Sequence, residues 1–398
     1  MPRLVSAPAL LLRHSMISAS RPFIQLIASV LVTTTALLTS SGCNRQPDTI
    51  KLGEFASMTG KEAVFGQNVN KGTRLAIEES NVAGGVLGRT LELITEDDQS
   101  KPGESATVVK KLISRDKVVV ILGEITSGRT LEAAPIAQAA KIPLISPGAT
   151  NTEVTAKGNY IFRVCFIDDF QGTVMAKFAR DTLKLKRVAI LSSVSSAQSV
   201  GLAKYFRERF TSASTAIAAE QKYSEGDKDF RAQLTAIKAA GADGIFVPGY
   251  YAEAALICKQ ARDLGLTLPL LGVDGWESPD LLAIAGDAAE GCYLSTHFSP
   301  ESKAPVVVAF NERYQKRWGI SANALSVLGY DATMLAIDAI RRAGSTDGAK
   351  IRDALAATKD YPAVTGAITF DAHRNPTKNA VVLLVKNGKF TFVQDVAP

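Results

Sequence analysis

The sequence predicts an α/β protein made of two doubly wound lobes. Short apolar runs alternate with longer segments of helical spacing once before residue 165 and again after it. Each alternation is typical of a mostly parallel sheet with helices on both faces. A chain of 398 residues, 46% hydrophobic and 21% charged, is long enough for two such lobes.

The first alternation pairs each apolar run with a helix or a turn. A helix is indicated where Val69, Thr73, Ala76 and Ile77 recur at helical spacing, and the glycine turn N-V-A-G-G-V-L-G-R ends it. The predicted strands lie at 50–55, 90–95, 118–122 and 142–145, with helices at 67–80, at 102–114 and between the last two strands.

The second alternation begins directly afterwards and leads into a helical C-terminal part. Its predicted strands lie at 187–192, 216–223, 244–247, 268–272 and 291–296, with helices at 170–183, 201–211, 230–240, 253–264 and 279–285. Three helices at 301–318, 324–342 and 350–357 follow, and the chain ends in a hairpin-like part with strands at 366–370, 380–385 and 390–393.

The first 42 residues have the composition of a secretory signal peptide. They contain Arg3, Arg13 and Arg21 but no Asp, Glu or Lys, and an apolar run precedes S-S-G-C. This end resembles the lipobox of bacterial lipoproteins, which predicts lipidation of Cys43 and a polar tether over 43–48. Ser40 stands where that motif prefers leucine, and an ordinary cleaved signal or a retained anchor helix is the alternative.

The charge and the cysteines exclude several function classes. Without residues 1–42 the net charge falls from +6 to +3, and no basic cluster with interleaved aromatics remains, so nucleic-acid binding is not indicated. Cys165, Cys258 and Cys292 are widely spaced and do not predict a metal site. In an oxidising compartment one pair could bridge, although buried free thiols are the commoner interpretation of their apolar surroundings.

No catalytic constellation is found. The leader contains one of the three histidines, and G-x-S-x-G, H-E-x-x-H and a Walker motif are all missing from the sequence. We therefore expect neither an enzyme nor a cofactor.

Two polar loops follow neighbouring predicted strands of the first lobe. Ser127 and Thr130 come after the strand at 118–122, and S-P-G-A-T-N comes after the strand at 142–145. Loops at the carboxyl ends of adjacent parallel strands lie together, and hydroxyls with backbone N–H groups suit an anion. The pattern indicates a carboxylate-recognition corner, the alternative being that Ser127 and Thr150 only cap helices.

The second lobe presents candidate ligand groups at its own strand ends. Asp168 lies in I-D-D-F-Q-G, Tyr250 in P-G-Y-Y-A-E and Asp274 in G-V-D-G-W. A carboxylate at Asp274 would pair with a ligand ammonium, and hydroxyls in the opposite lobe would complete a site for a zwitterion. The alternatives are a capping or Asx-turn role for Asp274 and a core or rim position for the tyrosine.

Several motifs together resemble one family. Seven motifs occur in a fixed order over nearly all of 48–395. They are I-K-L-G-E-F, N-V-A-G-G-V-L-G-R-T-L-E-L, E-D-D-Q-S-K-P, L-I-S-P-G-A-T-N, D-F-Q-G, V-P-G-Y-Y-A-E-A and I-A-G-D-A-A-E-G. They resemble the leucine/isoleucine/valine-binding proteins, the periplasmic solute-binding components of branched-chain amino-acid ABC transporters. The resemblance implies a type I periplasmic-binding fold, with two lobes joined by three hinge crossings that close on the ligand.

The resemblance also implies a division of the chain and a set of ligand-binding residues. The expected N-terminal lobe comprises 49–167 and 299–377, and the C-terminal lobe comprises 168–298 and 378–398. Asp168 aligns with an acidic residue at the hinge. The α-carboxylate is expected at Ser127, Gly148, Ala149 and Thr150, the α-ammonium at Asp274, and the remaining ligand contacts at Phe65, Tyr250 and Tyr330.

Two departures from the family pattern bear on the ligand. Members commonly carry a Y-G-x-G loop whose tyrosine covers the ligand, whereas here Ala197 or Gln198 stands in that place. Some members have a disulfide between the loops at Ser100 and Thr126, and neither residue is cysteine here. The side chain of the bound solute is therefore left open.

The sequence as a whole predicts a lipid-anchored extracytoplasmic binding protein. It would capture a zwitterionic amino acid, branched-chain or similar, and deliver it to the membrane permease of an ABC transporter. The alternative is a sensory or regulatory receptor of the same fold that binds an amide or another small solute.

Overall fold

A computed structural model describes residues 49–398. The predicted signal peptide at 1–42, Cys43 and the tether at 43–48 lie outside the described residues. The described chain contains two sheets, one of five strands and one of seven, with helices packed against them. The prediction of two α/β lobes is confirmed.

The five-stranded sheet is entirely parallel, with strand order β2-β1-β3-β4-β5. Its order reverses at β1, which pairs with both β2 and β3, so this is the switch point where crevices form outside the strand ends. Its strands are β1 (Ile50–Ala56), β2 (Leu91–Asp97), β3 (Val120–Leu122), β4 (Leu144–Ser146) and β5 (Ile161–Arg163).

The helices of this part follow the strands in alternation, and three more come later in the chain. They are α1 (Ala63–Val82), α2 (Glu104–Lys111), α3 (Ser127–Ala140), α4 (Glu153–Ala156), α10 (Pro305–Trp318), α11 (Ala324–Ala343) and α12 (Gly348–Ala356).

Helices α1 and α11 cross closely because glycines lie at the contact. A Cβ atom on Gly72 would lie 1.8 Å from the carbonyl oxygen of Ser326, and one on Gly329 would lie 2.4 Å from that of Val69. Only glycine allows the two backbones to approach so closely. The crossing fixes the N-terminal end of α11, which carries part of the site described below.

The seven-stranded sheet has the order β12-β11-β10-β9-β8-β6-β7. The five strands from β6 to β10 are parallel, and β11 and β12 add an antiparallel edge. Its strands are β6 (Arg187–Ser193), β7 (Ala216–Tyr223), β8 (Gly244–Phe246), β9 (Leu270–Gly272), β10 (Tyr293–Thr296), β11 (Ala380–Lys386) and β12 (Lys389–Val396). The helices between them are α5 (Asp168–Lys177), α6 (Ala197–Phe210), α7 (Arg231–Ala239), α8 (Tyr251–Asp263) and α9 (Pro279–Ala285).

The chain passes between the two sheets three times. It leaves β5 for α5 and β6, returns between β10 and α10, and crosses again between α12 and β11. Three crossings are what the type I periplasmic-binding fold requires. The division at 167/168, 298/299 and 377/378 stays a prediction.

Several element boundaries differ from those predicted. Helix α1 begins at Ala63 and α6 at Ala197, each four residues before the predicted start, and α4 and β5 were not predicted. The predicted strand at 366–370 is wrong, because this segment makes only isolated bridges, Tyr361 with Ile368 and Phe370 with Pro376. Isolated bridges do not form a ladder, although the apolar alternation of this segment is that of a strand.

Candidate functional site

The carboxyl ends of β3 and β4 carry the two polar loops that the sequence analysis placed side by side. The Ser127 hydroxyl accepts a hydrogen bond from the backbone N–H of Asn151 at 3.1 Å, which joins the loops directly. The Ser146 hydroxyl donates to the Glu124 carbonyl at 2.7 Å and accepts from the Ala149 N–H at 2.9 Å. Ser127 is the first residue of α3 and bonds across to the other loop, so it does not act as a helix cap.

Buried charged side chains lie against the loops of this corner and hydrogen-bond to them. The Glu124 carboxylate is fully buried and accepts hydrogen bonds from the Thr126 N–H at 2.7 Å and the Ser57 hydroxyl at 3.1 Å. Burial raises the pKa of Glu124, the charge of Asp98 raises it further, and Arg129 opposes both. Because the loop backbone is bonded to buried side chains, the corner is held in one conformation.

Asp274 lies on the opposite side of the cleft, immediately after β9, and is nearly buried. Its Oδ1 accepts hydrogen bonds from the side-chain amides of Gln198 at 2.9 Å and Gln171 at 3.1 Å. Its Oδ2 lies 3.2 Å from His297 Nε2. The carboxylate bonds only to side chains in this arrangement, which rules out the capping and Asx-turn alternatives.

His297 and Asp168 complete the polar surroundings of this carboxylate. Burial lowers the pKa of His297 more strongly than its hydrogen bond to Asp274 raises it, which favours the neutral imidazole. Burial raises the pKa of Asp168 to about 8, while the Thr150 hydroxyl lowers it and the charge of Asp274 adds to it. Asp168 also donates its backbone N–H to the Thr150 carbonyl at 3.0 Å, which ties the first crossing to the carboxylate corner.

A small cavity of about 10 Å³ lies between these groups. Gln198, Asp274, Thr296 and His297 line its polar side. The apolar side is formed by Phe65, Ile125, Leu325 and Leu328, the last two from the end of α11 that the glycine crossing positions. A space with one apolar wall and a few convergent polar groups is typical of a small-molecule site.

Contacts across the cleft join the two lobes on the outer side of the cavity. The ring of Phe65 packs edge-on against Tyr250 and Tyr251, with centroids 5.8 and 5.1 Å apart. The Tyr251 hydroxyl donates to the Lys61 carbonyl at 2.6 Å, and Lys61 Nζ lies 3.2 Å from a Glu225 carboxylate oxygen. The described structure is therefore closed over the cavity.

Gln198 makes a further contact between the lobes. Besides donating to Asp274, its amide nitrogen lies 3.3 Å from the Thr150 hydroxyl of the carboxylate corner. Its side-chain oxygen is buried and has no hydrogen-bond partner among residues 49–398. The amide thus links the two halves of the predicted zwitterion site.

The structure brings most of the predicted site residues together. Phe65, Gly148, Tyr250 and Asp274 line the cavity, and Thr150 reaches it through Gln198. Ser127 and Ala149 lie in the same pair of loops, within the network that shapes the corner.

Tyr330 is the exception among the predicted residues. Its hydroxyl donates to Glu79 at 2.7 Å and its ring packs against Phe310, so it faces α1 and α10 and does not line the cavity. The same helix presents Leu325 and Leu328 instead. Helical spacing alone did not distinguish the positions of α11 that line the cavity from those that face α1 and α10, because the whole N-terminal half of the helix is buried.

Three partners of Asp274 were not predicted as site residues. Gln171 was quoted within the D-F-Q-G motif, Gln198 was noted only where a family tyrosine is missing, and His297 follows a predicted strand without a motif of its own. Position at a strand end was the one available signal for His297. The convergence of all three on a single carboxylate depends on tertiary packing.

Residues 49–398 contain neither a metal-binding cluster nor a membrane-spanning helix. No group of three or more His, Cys, Asp or Glu side chains in this part of the chain is arranged to hold a metal ion. None of its helices is long and apolar enough to cross a membrane.

Known proteins support one family for this chain. Residues 49–389 match the model of the family described as periplasmic binding protein. The leucine-, isoleucine-, valine-, threonine- and alanine-binding protein of Pseudomonas aeruginosa is 32% identical over 329 residues, which are 81% of this chain and 86% of that protein.

Two solved structures are similar over nearly their whole length. The leucine-binding protein LivK of Thermotoga maritima has a TM-score of 0.85 and 39% identity, with 88% of this chain and 99% of that chain covered. The branched-chain amino-acid-binding protein LivJ of Streptococcus pneumoniae, in complex with isoleucine, has a TM-score of 0.84 and 34% identity, with 88% and 100% covered. The chain therefore belongs to the periplasmic binding protein family.

Proposed function

We propose that this protein captures an amino acid, branched-chain or similar, in the cavity between its lobes and delivers it to the permease of an ABC transporter. The observation that carries the proposal is the opposition of two polar sites across one cavity. Gly148 of the β4 loop and Asp274 both line the cavity, and the Thr150 hydroxyl and Asp274 both bond to the Gln198 amide, with the apolar wall of Phe65, Leu325 and Leu328 beside them.

Each part of an aliphatic amino acid has a chemical counterpart in this arrangement. The α-carboxylate suits the Ser127, Gly148, Ala149 and Thr150 corner, because hydroxyl and amide donors stabilise a carboxylate. The α-ammonium suits Asp274, and the side chain suits the apolar wall. Members of this family are solute-binding proteins and not enzymes, which fits the proposal.

Ligand binding and closure are coupled in this proposal. A ligand that contacts both lobes makes all of its contacts only in the closed form, so it shifts the population toward that form. Asp168, at the first crossing, is a candidate hinge residue because its backbone N–H is bonded to the carboxylate corner. Residues 49–167 with 299–377, and 168–298 with 378–398, would then move as the two rigid bodies.

The proposed cell-surface form is anchored by lipid on Cys43 after removal of residues 1–42. A lipid anchor would keep the protein beside its permease, and its support is the S-S-G-C end of the apolar leader. Mass spectrometry of the N-terminal peptide from the membrane fraction tests this, with Cys43→Ser as control. An N-terminus without acyl groups in the unaltered protein would contradict the anchor.

One observation favours a second candidate ligand, a carboxylate without an ammonium group. Asp274 already has three side-chain partners, Gln171, Gln198 and His297. A ligand lacking the ammonium would leave those bonds intact and use only the carboxylate corner and the apolar wall.

Calorimetric titration of the soluble chain from residue 44 onward distinguishes the two candidates. The matched ligands are leucine and 4-methylpentanoate, which has the same carboxylate and side chain but lacks the amino group. Tighter binding of leucine, isoleucine or valine supports the amino-acid proposal. Binding of 4-methylpentanoate that equals or exceeds that of leucine supports the second candidate, and heat from neither class would refute both.

A further inference from the structure

Two cysteines of the second lobe lie in direct contact. Cys258 is in the middle of α8 and Cys292 immediately precedes β10, and both are fully buried. Their sulfur atoms are 3.9 Å apart. The third cysteine of the described residues, Cys165, lies at the end of β5 in the other part of the chain.

We propose that Cys258 and Cys292 are joined by a disulfide bond in the extracytoplasmic protein. A disulfide has a sulfur–sulfur distance of about 2.05 Å, so the two atoms must approach by about 1.9 Å. Proteins of this family work in the extracytoplasmic space, where disulfides form and persist. The sequence pattern alone favoured free thiols, and the contact between these two side chains changes that interpretation.

The Arg262 guanidinium, one turn after Cys258 on α8, lies 3.9 Å from the Cys292 sulfur in the folded chain. The exchange with the oxidant precedes this packing, so the attacking group is the thiolate fraction of an exposed cysteine.

The reaction requires an oxidant, for which we name a disulfide compound such as oxidised glutathione or a disulfide-donating protein. The Cys292 thiolate attacks one sulfur of the oxidant and releases the other as a thiolate. The Cys258 thiolate then attacks the Cys292 sulfur of the mixed disulfide and releases the second thiolate. Two protein thiols lose two protons and two electrons, and the oxidant is reduced to two thiols. Both sulfurs are buried in the folded chain, so the exchange takes place before α8 packs against the sheet.

The bond would connect two elements that carry cavity-lining residues of the second lobe. Helix α8 begins at Tyr251, next to Tyr250 of the cavity, and β10 ends at Thr296, next to His297. A covalent link between these elements fixes the two ends that line the cavity relative to each other. This inference does not depend on which solute is bound.

The test is peptide mapping of the full-length chain isolated from the extracytoplasmic fraction. Free thiols are blocked with iodoacetamide in denaturant without reductant, and the chain is then digested with trypsin. We expect a linked pair of peptides, 239–259 with 263–303, in more than half of the molecules, and Cys165 alkylated. Alkylation of both Cys258 and Cys292, or a link that involves Cys165, would overturn the proposal.

Two variants separate a specific bond from random oxidation. Cys165→Ala is expected to leave the linked pair unchanged, and Cys258→Ala is expected to leave Cys292 open to alkylation. Reduction of the unaltered protein with dithiothreitol should lower its thermal unfolding midpoint, whereas the Cys258→Ala protein should show no such reductant effect. An equal response of both proteins to the reductant would count against the bond.

Discussion

Replacing Glu277 by glutamine should stabilise the protein at pH 8 and have little effect at pH 5. Glu277 lies three residues after Asp274, and its carboxylate accepts from the Ala324 N–H at the start of α11 at 2.9 Å and from the Thr296 hydroxyl. Burial raises its pKa to about 7, with both hydrogen bonds opposing and Asp274 adding to the shift. The charged form is therefore disfavoured in the folded protein.

The magnitude follows from the difference between the folded pKa and the ordinary value of 4.5. Below pH 4.5 the carboxyl is protonated in the folded and unfolded chains alike and contributes nothing. Between pH 4.5 and 7 the unfolded chain releases the proton first, so stability falls as the pH rises. Above pH 7 the full cost is present, about 3 kcal/mol at most, because one pKa unit corresponds to about 1.4 kcal/mol.

Glutamine reproduces the protonated form, since its oxygen accepts from Ala324 and its amide donates to Thr296. Urea unfolding at pH 5 and 8, compared between Glu277→Gln and the unaltered chain, should show a gain that grows by about 2 kcal/mol between the two pH values. Exposed Glu312→Gln serves as the control and should give equal, small changes at both. A Glu277→Gln protein that is destabilised equally at pH 5 and 8 would refute the reasoning.

Three predictions concern binding and are measured by calorimetric titration. Asp274→Ala should weaken amino-acid binding by 2 or more kcal/mol, because it leaves a buried ammonium unpaired, whereas Tyr250→Phe should cost less than about 1 kcal/mol; equal, small effects would contradict the zwitterion assignment. Ser127→Ala combined with Thr150→Ala should weaken all carboxylate ligands and keep their rank order, and a changed order would mean that these residues read the side chain. Gln198→Leu should strengthen leucine binding by about 10-fold relative to 4-methylpentanoate, because it removes one hydrogen-bond competitor for Asp274; a loss of leucine affinity would show that the amide binds the ligand.

Apolar runs predicted most of the strands because sheets buried on both faces leave a continuous hydrophobic signal. The run at 187–192 corresponds to β6, and the helix predicted at 279–285 has the bounds of α9. Strand β5 was not predicted, since it has only three residues and ends in Arg163. That side chain is fully buried because it donates to the carbonyls of Ala149 and Asn151 at 2.6 and 2.8 Å. This arrangement depends on tertiary packing and leaves no pattern in the local sequence.

Sequence reasoning predicted the site residues whose positions depend on sheet topology. It did not predict those whose positions depend on side-chain packing. Strand ends identified both loops of the corner and Asp274, since parallel sheets gather those ends at one edge. Gln171 was not singled out, and the direction of the predicted residue Tyr330 toward Glu79 was not foreseen, because these side-chain directions depend on the packing of α5 and α11. Helical periodicity indicates a buried face, but it does not say which neighbour that face meets.

Asp274 takes part both in the contacts between the lobes and in the proposed selection of the ligand. In the described structure Gln198 connects it to Thr150 of the opposite lobe, which is a polar contact made by the protein's own side chains. An amino acid gains only the difference between its ammonium–carboxylate contact and the amide contact it displaces. The ammonium carries a full charge and the amide does not, so the exchange favours the amino acid. A ligand without that group leaves Gln198 in place and gains nothing at Asp274. The ratio of the affinities for leucine and 4-methylpentanoate therefore reports the free energy of this exchange together with the desolvation of the ammonium. Gln198→Leu should change that ratio more than it changes the binding of 4-methylpentanoate.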